Sequence, residues 1–353
     1  MTTILTTTGI SLFLNTNRKY DIKESTDDQM RQYLRMEPEH ASAEVNSLIQ
    51  IVKSDDHLVF LCTETPNAQG CANLLKEFFT NRDFKHIDIV ELQFQEKEEH
   101  IETQGLRNLV NALISEIDKA QRKNQEIVIN ATAGFKAQIV YNTMIGMIYH
   151  VPVKYMYETF KKIVTFTPIA LDWDTSLFLS NDSFFRWLDS QPRSQQEVEI
   201  RLKGLYDKER IEALLTSPDT NGEVFLSPMG EALRRRFERE TEETFSAPWP
   251  PVAEIETEDK ISQSLQSIKH HFPRGTLAIC KKIAQLPWVL AIIGGNFENT
   301  LRTDIKGINE DGTIRLLWAD NEKATNLVVQ TTAQGRAQTR KIEVKIRELL
   351  EIN

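Results

Sequence analysis

The sequence predicts an α/β protein of two or three parts: a parallel sheet covered by helices, a helical middle segment, and a small α+β domain. Three observations carry this. β-branched runs alternate with amphipathic stretches up to about residue 150. At Ile127–Lys136 such a run stops at a polar, small-residue turn and a helix begins at once. From Glu258 the pattern changes to helices followed by a meander of short strands. At 353 residues the chain exceeds one typical domain.

Taken in order, Thr2–Thr8 is β-branched and apolar and reads as a strand ending in a polar loop at Gly9 and Ser11. Ala43–Val52 places Val45, Leu48, Ile49 and Val52 at helical spacing. His57–Cys62 is a second strand, running into the loop Thr63-Glu64-Thr65-Pro66, and Cys71–Phe79 is a helix. His86–Phe94 is a third strand and Leu106–Lys119 a strongly amphipathic helix. Val153–Thr159 and Lys162–Pro168 read as an edge hairpin around Phe160-Lys161.

In such sheets ligands sit beyond the carboxyl ends of the strands. The loops expected there are Thr8-Gly9-Ile10-Ser11, Thr63-Glu64-Thr65 and Asn130–Lys136. In the last, Thr132 brings a hydroxyl, Gly134 allows close backbone approach, and Lys136 adds a charge at a helix start. Those features suit an anion such as phosphate. Ordinary Asn/Thr capping of a strand–helix junction is the structural alternative. Neither a GxGxxG nor a Walker sequence is present, so no dinucleotide fingerprint or P-loop is supported.

These residues resemble the CRISPR-associated Rossmann-fold (CARF) domain over roughly residues 1–175. The carrying stretches are Thr7-Thr8-Gly9-Ile10-Ser11 and Ile129-Asn130-Ala131-Thr132-Ala133-Gly134-Phe135-Lys136. The resemblance implies a homodimer binding cyclic oligoadenylate across its two-fold axis, with cyclic tetra-adenylate the expected ring. It implies that Gly9 and Ser11, with Thr8 and Thr63 beside them, line the ring. Asn130, Thr132, Ala133, Gly134, Phe135 and Lys136 would hold phosphates and riboses. Ring opening by the domain itself stays open as a further activity.

Residues 176–243 read as a winged-helix-like segment: helices at Asp182–Leu188 and Glu197–Leu215, a turn at Asp219–Gly222, and a final helix Met229–Glu240. Arg234-Arg235-Arg236 lies among Glu231, Glu238, Glu240, Glu242 and Glu243, which favours a solvated charged face over DNA contact. Residues 244–257, proline-rich and acidic, read as a linker.

In residues 258–353, Ile261–Phe272 and Thr276–Gln285 read as helices. Thr300–Ile308, Thr313–Ala319 and Asn326–Thr331 read as a meander, and Lys341–Glu351 as a closing helix. This part holds 14 Lys+Arg against 11 Asp+Glu, in a chain with 42 against 51. No histidine follows His271, so no Ser–His–Asp or Cys–His arrangement can be built there, and no carboxylate cluster suggests a metal cage. What recurs are Arg302, Lys306, Arg315, Arg336, Arg340 and Lys341, on the strands and the loop after them. Cationic groups of this kind stabilise the charge that grows on phosphorus when a ribose 2′-hydroxyl attacks its own phosphate.

This part resembles the RelE/ParE toxin fold, and within it the RelE-type mRNA interferases. The resemblance rests on Leu301–Lys306, Gly312–Trp318, Leu327-Val328-Val329 and Gly335-Arg336. It implies a metal-independent endoribonuclease acting on mRNA in the ribosomal A site. Arg315 would neutralise the scissile phosphate with Arg336 nearby, and Arg302 or Lys306 would act at the 2′-hydroxyl. The tyrosine many such toxins carry near the last helix is missing, leaving Arg340 or Lys341 to stand in for it. The two resemblances together imply a type III CRISPR-associated effector.

Two alternatives remain. One is a metal-dependent PD-(D/E)xK-type nuclease using Asp304-Ile305-Lys306 or Glu343-Val344-Lys345. The other is a nucleotide-responsive transcription regulator with an inactive tail. An Arg-x4–6-His spacing, needed by a HEPN ribonuclease, does not occur in the C-terminal part. The longest apolar run, Trp288–Ile293, is too short to cross a bilayer, and Met1–Ile10 lacks a basic leader region. Cys62, Cys71 and Cys280 form no CxxC pair, so a reducing cytoplasm and no metal or cofactor are expected.

Overall fold

In the computed structural model of the chain, Thr2–Thr8 forms β1, whose alternation divides its side chains between two cores. Ile4 packs with Leu34, Leu58, Phe60 and Phe79, and Leu5 with Val59, Leu109, Leu113 and Ile129. β1 is buried on both faces although five of its seven residues are threonines, whose β-branched side chains suit a strand. The structure describes the chain except residues 94–104, 135, 158–161, 170–175, 206, 268–271 and 353.

Two compact units result, Met1–Phe237 and Glu238–Asn353. In the first, β2 (His57–Thr63), β3 (His86–Leu92), β4 (Glu126–Asn130), β5 (Val153–Tyr155) and β6 (Val164–Phe166) join β1 in the order β3-β2-β1-β4-β5-β6. All neighbours are parallel except β5 and β6, which form the expected antiparallel edge pair. Phe160-Lys161, between them in sequence, lies outside the described residues. The helices are α1 (Ser11–Tyr20), α2 (Asp27–Met36), α3 (Pro38–Ala41), α4 (Ala43–Leu48), α5 (Pro66–Thr80), α6 (Leu106–Arg122) and α7 (Lys136–Ile148).

The loop expected after β1 is in fact the start of α1, at Ser11. Only Leu12 and Thr16 of that helix are buried, so it shows almost no apolar stripe. α2, also unexpected, opens with a capping box in which Thr26 and Gln29 satisfy each other's backbone N–H groups.

The chain continues through α8 (Ser176–Ser180), α9 (Asp182–Ser190), β7 (Arg193–Ser194), α10 (Gln195–Leu202), α11 (Lys208–Glu212), β8 (Glu223–Val224) and α12 (Pro228–Ser246). β7 pairs antiparallel with β8, around a core of Phe184, Phe185, Leu188, Val198, Leu202 and Ile211. The single helix expected over 197–215 is two short ones, parted around Gly204, a poor helix former.

In the second unit, α13 (Gln263–Ser267) and α14 (Thr276–Ala284) precede β9 (Val289–Glu298), β10 (Asp304–Ile308), β11 (Thr313–Ala319) and β12 (Ala324–Thr331); α15 (Arg336–Leu350) closes it. The sheet is antiparallel throughout, ordered β10-β11-β12-β9. Its core joins Ile283, Ile292, Ile314, Leu316, Leu327 and Val329 to Ile342 and Ile346 of α15.

Three expectations are corrected here. β9 grows from the Trp288–Ile293 run, which had no strand assigned to it. α15 begins five residues early, so Arg336 and Arg340 lie within the helix with Lys341 rather than on a loop. The expected linker starts inside α12, and beyond it the segment packs on its own unit. Trp249 stacks on Trp288 with centroids 4.4 Å apart, and Ala253 N–H donates to the Pro287 carbonyl at 2.7 Å.

Candidate functional site

The chain lays β2 and β3 on one side of β1 and β4 and β5 on the other, so the strand order reverses between β1 and β4. In open α/β sheets the crevice at such a switch point, beyond the strands' carboxyl ends, is where ligands bind, because the loops there leave in opposite directions. Helices α1 and α7 both begin at that end of the sheet, which sets their positive dipole ends there.

The two loops approach closely. The position a Gly9 side chain would take lies 3.7 Å from Gly134 N and 3.8 Å from Gly134 Cα. Gly134 has φ +106°, a backbone state that L side chains rarely adopt. A Cβ there would meet Gln138 Oε1 at 2.2 Å. Thr7 Oγ1 donates to the Ala133 carbonyl at 2.6 Å and ties the loop to β1. Lys136, the first residue of α7, is exposed and has no partner among the described residues.

Several predicted ligand residues are engaged inside the protein. Asn130 is fully buried; its Nδ2 donates to Ser47 Oγ at 2.9 Å and its Oδ1 accepts from Thr132 Oγ1 at 2.7 Å. Thr132 Oγ1 also accepts from Met156 N–H at 3.1 Å, linking the loop to the end of β5. Ser11 Oγ donates to Glu44 Oε2 at 2.6 Å and accepts from Ala43 N–H at 3.1 Å. Thr63 shares a hydroxyl contact of 3.2 Å with Thr65, the N-cap of α5. Thr8 is buried and its hydroxyl has no partner among the described residues. Phe135 lies outside the described residues. Gly134 and Lys136 are therefore the exposed residues here, with Gly9 beside them and Asn130, Thr132 and Ser11 bracing the loops.

Glu44, absent from the sequence reading, is the residue the crevice is built on. It is 1% exposed and accepts from Gly9 N–H at 2.8 Å, Ser11 Oγ at 2.6 Å and Ser42 Oγ at 2.7 Å. A glutamate near a helix start carries no sequence signal for this, because two of its three partners, Gly9 and Ser11, lie 33 to 35 residues away in the chain.

In the second unit the six predicted catalytic cations are distributed over three places. Arg315 on β11 lies between buried Ile314 and Leu316, so alternation turns it to the open face of the sheet. It is exposed and without a partner among the described residues. Lys306 ion-pairs with Glu298 at 3.1 Å; Asn326 first, and then Lys306, hold that carboxyl below its ordinary pKa.

Arg302 and Arg340 belong to one ionic cluster. Arg340 and Arg347 each donate at 2.9 Å to Glu343, itself 1% exposed. Arg347 reaches Asp304 at 3.4 Å, and Arg302 lies 3.6 Å from the same carboxylate. Asp304 and Glu343, the acids of the metal-nuclease alternative, do come together, but around the Arg347 guanidinium. No group of three metal-ligating side chains occurs among the described residues.

Arg336 lies 3.9 Å from Glu240, and Lys341 donates to the Phe245 and Ala247 carbonyls at the end of α12. Lys341 thus caps that helix, the C-terminal use of a cation. A cleft of about 430 Å³, missed by sequence reasoning, is lined by Leu265, Phe272, Arg274, Asp320 and Lys323.

The three arginines of α12 are also held internally. Arg234 bonds the Phe185 carbonyl and Asp189, Arg235 pairs with Glu231 at 3.0 Å, and Arg236 donates to the Ile148 carbonyl at 3.1 Å. The three are half-buried and bonded within their unit rather than lying on the solvated charged face expected from the sequence. No helix among the described residues is long and apolar enough to cross a membrane.

Residues 39–169 match the family model described as CRISPR-associated protein (Cas_APE2256). Among solved structures the chain is similar to protein VC1899 from Vibrio cholerae, at 10% identity over 94% of this chain and 77% of that one, with a TM-score of 0.30. It is similar to Csm6 of Enterococcus italicus bound to cyclic hexa-2'-fluoro-hexa-dAMP, at 11% identity and a TM-score of 0.28. That match covers 80% of this chain but only 60% of Csm6, less than two thirds of its length. A third is Can2 from Sulfobacillus thermosulfidooxidans in complex with cyclic tetra-adenylate, at 11% identity over 94% of this chain and 77% of that one, with a TM-score of 0.26.

Proposed function

We propose that the chain is a CRISPR-associated sensor–effector in which cyclic oligoadenylate, with cyclic tetra-adenylate the expected ring, binds the β1/β4 crevice and activates a ribonuclease. The carrying observation is the approach of Gly9 to Gly134 at the strand-order reversal, beside the exposed Lys136. Backbone N–H groups and one cation suit a phosphodiester, and the paired glycines let it come close. The family-model match over 39–169 supports the CRISPR association.

A cyclic ligand with two-fold symmetry is held by two copies of one site, so a homodimer follows from the reading. Exposed Leu14 on α1 and Val140 on α7, the two helices that start at the crevice, support a contact between copies there. Gating requires the ring to bind the active arrangement more tightly than the resting one.

The effector in this reading is the RelE-like segment 258–353, acting without metal on mRNA in the ribosome. Arg315, the unpartnered cation on the open sheet face, stabilises the charge that develops on the scissile phosphate as the neighbouring 2′-hydroxyl attacks. Lys306 is the nearest of the other cations in register, since a bulge between Ile305 and Gly307 sets it beside the Arg315 pairing. The Arg302–Asp304–Arg347–Glu343–Arg340 cluster fastens α15 to β10 and is assigned to structure. Residues 176–243, a winged-helix-like segment in this reading, relay the change.

The test is mRNA cleavage in a reconstituted translation reaction, with and without cyclic tetra-adenylate and with and without ribosomes. Cuts that need both ligand and ribosome, and vanish in Arg315→Ala, support the reading. Ligand-dependent cutting of naked RNA removes the ribosome requirement. Ligand binding without any cleavage overturns the effector assignment.

A further inference from the structure

Gly9 N–H and Ser11 O–H, two hydrogen-bond donors just beyond the end of β1, both bond Glu44. We propose that Glu44 is a built-in anion of the crevice. Its carboxylate occupies the donor pair at the β1–α1 turn, confines bound phosphates to the Gly134–Lys136 side, and lowers the affinity of the site for anions. The identity of the ligand rests on the sensor reading above; the role of Glu44 toward anions does not.

Three observations carry the inference. Glu44 is 1% exposed and forms no ion pair among the described residues. Burying a carboxylate without a cation is costly, and three donors at 2.6–2.8 Å are what hold it in place. Two of those donors belong to the β1–α1 turn, and one of them, Gly9, lies against Gly134. The point a Gly9 Cβ would occupy also lies 3.7 Å from Gly134 N and 3.9 Å from Glu44 Oε1. A phosphate seated on Gly134 therefore meets the carboxylate across a single residue. Repulsion between like charges at this range in a partly buried site is worth about tenfold in affinity.

A carboxylate with only a scaffolding role predicts the opposite sign. Weakening it would then loosen the Gly9–Ser11 turn and reduce binding. Glu44→Gln separates the two: its amide oxygen still accepts from Gly9 N–H and its amino group still reaches the serine oxygens, but the charge is gone. Glu44→Asp keeps the charge and serves as the conservative control.

The experiment measures two quantities on wild type, Glu44→Gln and Glu44→Asp as full-length chains. One is the dissociation constant of cyclic tetra-adenylate by calorimetry. The other is the rise in melting temperature on adding inorganic phosphate. The expected result is tighter ring binding by Glu44→Gln, about tenfold for each of the two copies that hold the ring, and a larger phosphate-induced rise than in wild type, with no gain in either assay for Glu44→Asp. A Glu44→Gln protein that folds but gains in neither assay overturns the proposal; if wild type binds the ring in that case, the sensor reading stands. If no variant binds the ring while Glu44→Gln still gains phosphate stabilisation, the sensor reading falls and the role of Glu44 stands.

Discussion

Replacing Gly134 by alanine tests the crevice at its most constrained atom. The residue holds φ +106°, where an L side chain costs about 1–3 kcal/mol. Its new Cβ would sit 2.2 Å from Gln138 Oε1, so the buried Gln138 amide must move. Displacing a buried amide from its partner adds about 1–3 kcal/mol. Alanine also restricts the unfolded chain, which returns about 0.4–1 kcal/mol. The net loss expected is about 1–5 kcal/mol, centred on β4 and α7. Because the chain has two units, a global melt need not be two-state. Hydrogen exchange over residues 126–148 reads the loss where it arises. The same variant should weaken cyclic tetra-adenylate binding by more than tenfold. Gly9→Ala is the contrast: its Cβ meets only ordinary contacts, from 3.7 Å, so stability stays within about 0.5 kcal/mol while the gap between the loops is narrowed. A Gly134→Ala protein with unchanged exchange over 126–148 would refute the reasoning.

Other outcomes follow from the second unit. Arg315→Ala should abolish mRNA cleavage and leave urea stability within about 0.5 kcal/mol, since the side chain is exposed and unpartnered among the described residues. Glu343→Ala leaves the Arg340 and Arg347 guanidiniums without their shared buried carboxylate and should cost about 3–5 kcal/mol in urea unfolding. Asp320 accepts backbone N–H groups from Arg274, Glu322 and Lys323, which hold its carboxyl below the ordinary 3.8. Its stabilisation is therefore complete above pH 3.8 and lost as pH falls through the lower folded value. The stability gap between wild type and Asp320→Asn should be open at pH 7 and close on acidification below that point.

Legibility in the sequence followed burial. β2, β4 and α6 were readable because burial writes continuous or strictly periodic apolar runs, as in Ile127-Val128-Ile129 and Leu106–Ile117, and β1 through its β-branched threonines. α1 was not, since Leu12 and Thr16 are its only buried residues. Its neighbour α2 did carry a signal in Thr26 and Gln29, three residues apart. β9 was hidden because its second half, Gly294–Glu298, is neither apolar nor alternating. At the crevice, the strand–turn–helix order pointed to Gly134 and Lys136. It gave no sign that Asn130 and Thr132 bond each other, or that Ser11 bonds Glu44, because hydroxyl and amide partners are set by tertiary contact. The same holds for Arg340 and Lys341. Their charge was visible, but the Glu343 carboxylate and the carbonyls that hold them are apparent only once α15 packs.

The most direct measurement is a calorimetric titration of the full-length chain with cyclic tetra-adenylate, repeated with Lys136→Ala. Lys136 is exposed and unpartnered among the described residues, so its loss should not disturb the fold. One ring should bind per two chains, and the variant should bind it about a hundredfold or more weaker, because each of the two copies loses one charge-assisted contact to a phosphate. No heat of binding at millimolar ring, or a Lys136→Ala protein that binds as tightly as wild type, would contradict the sensor reading.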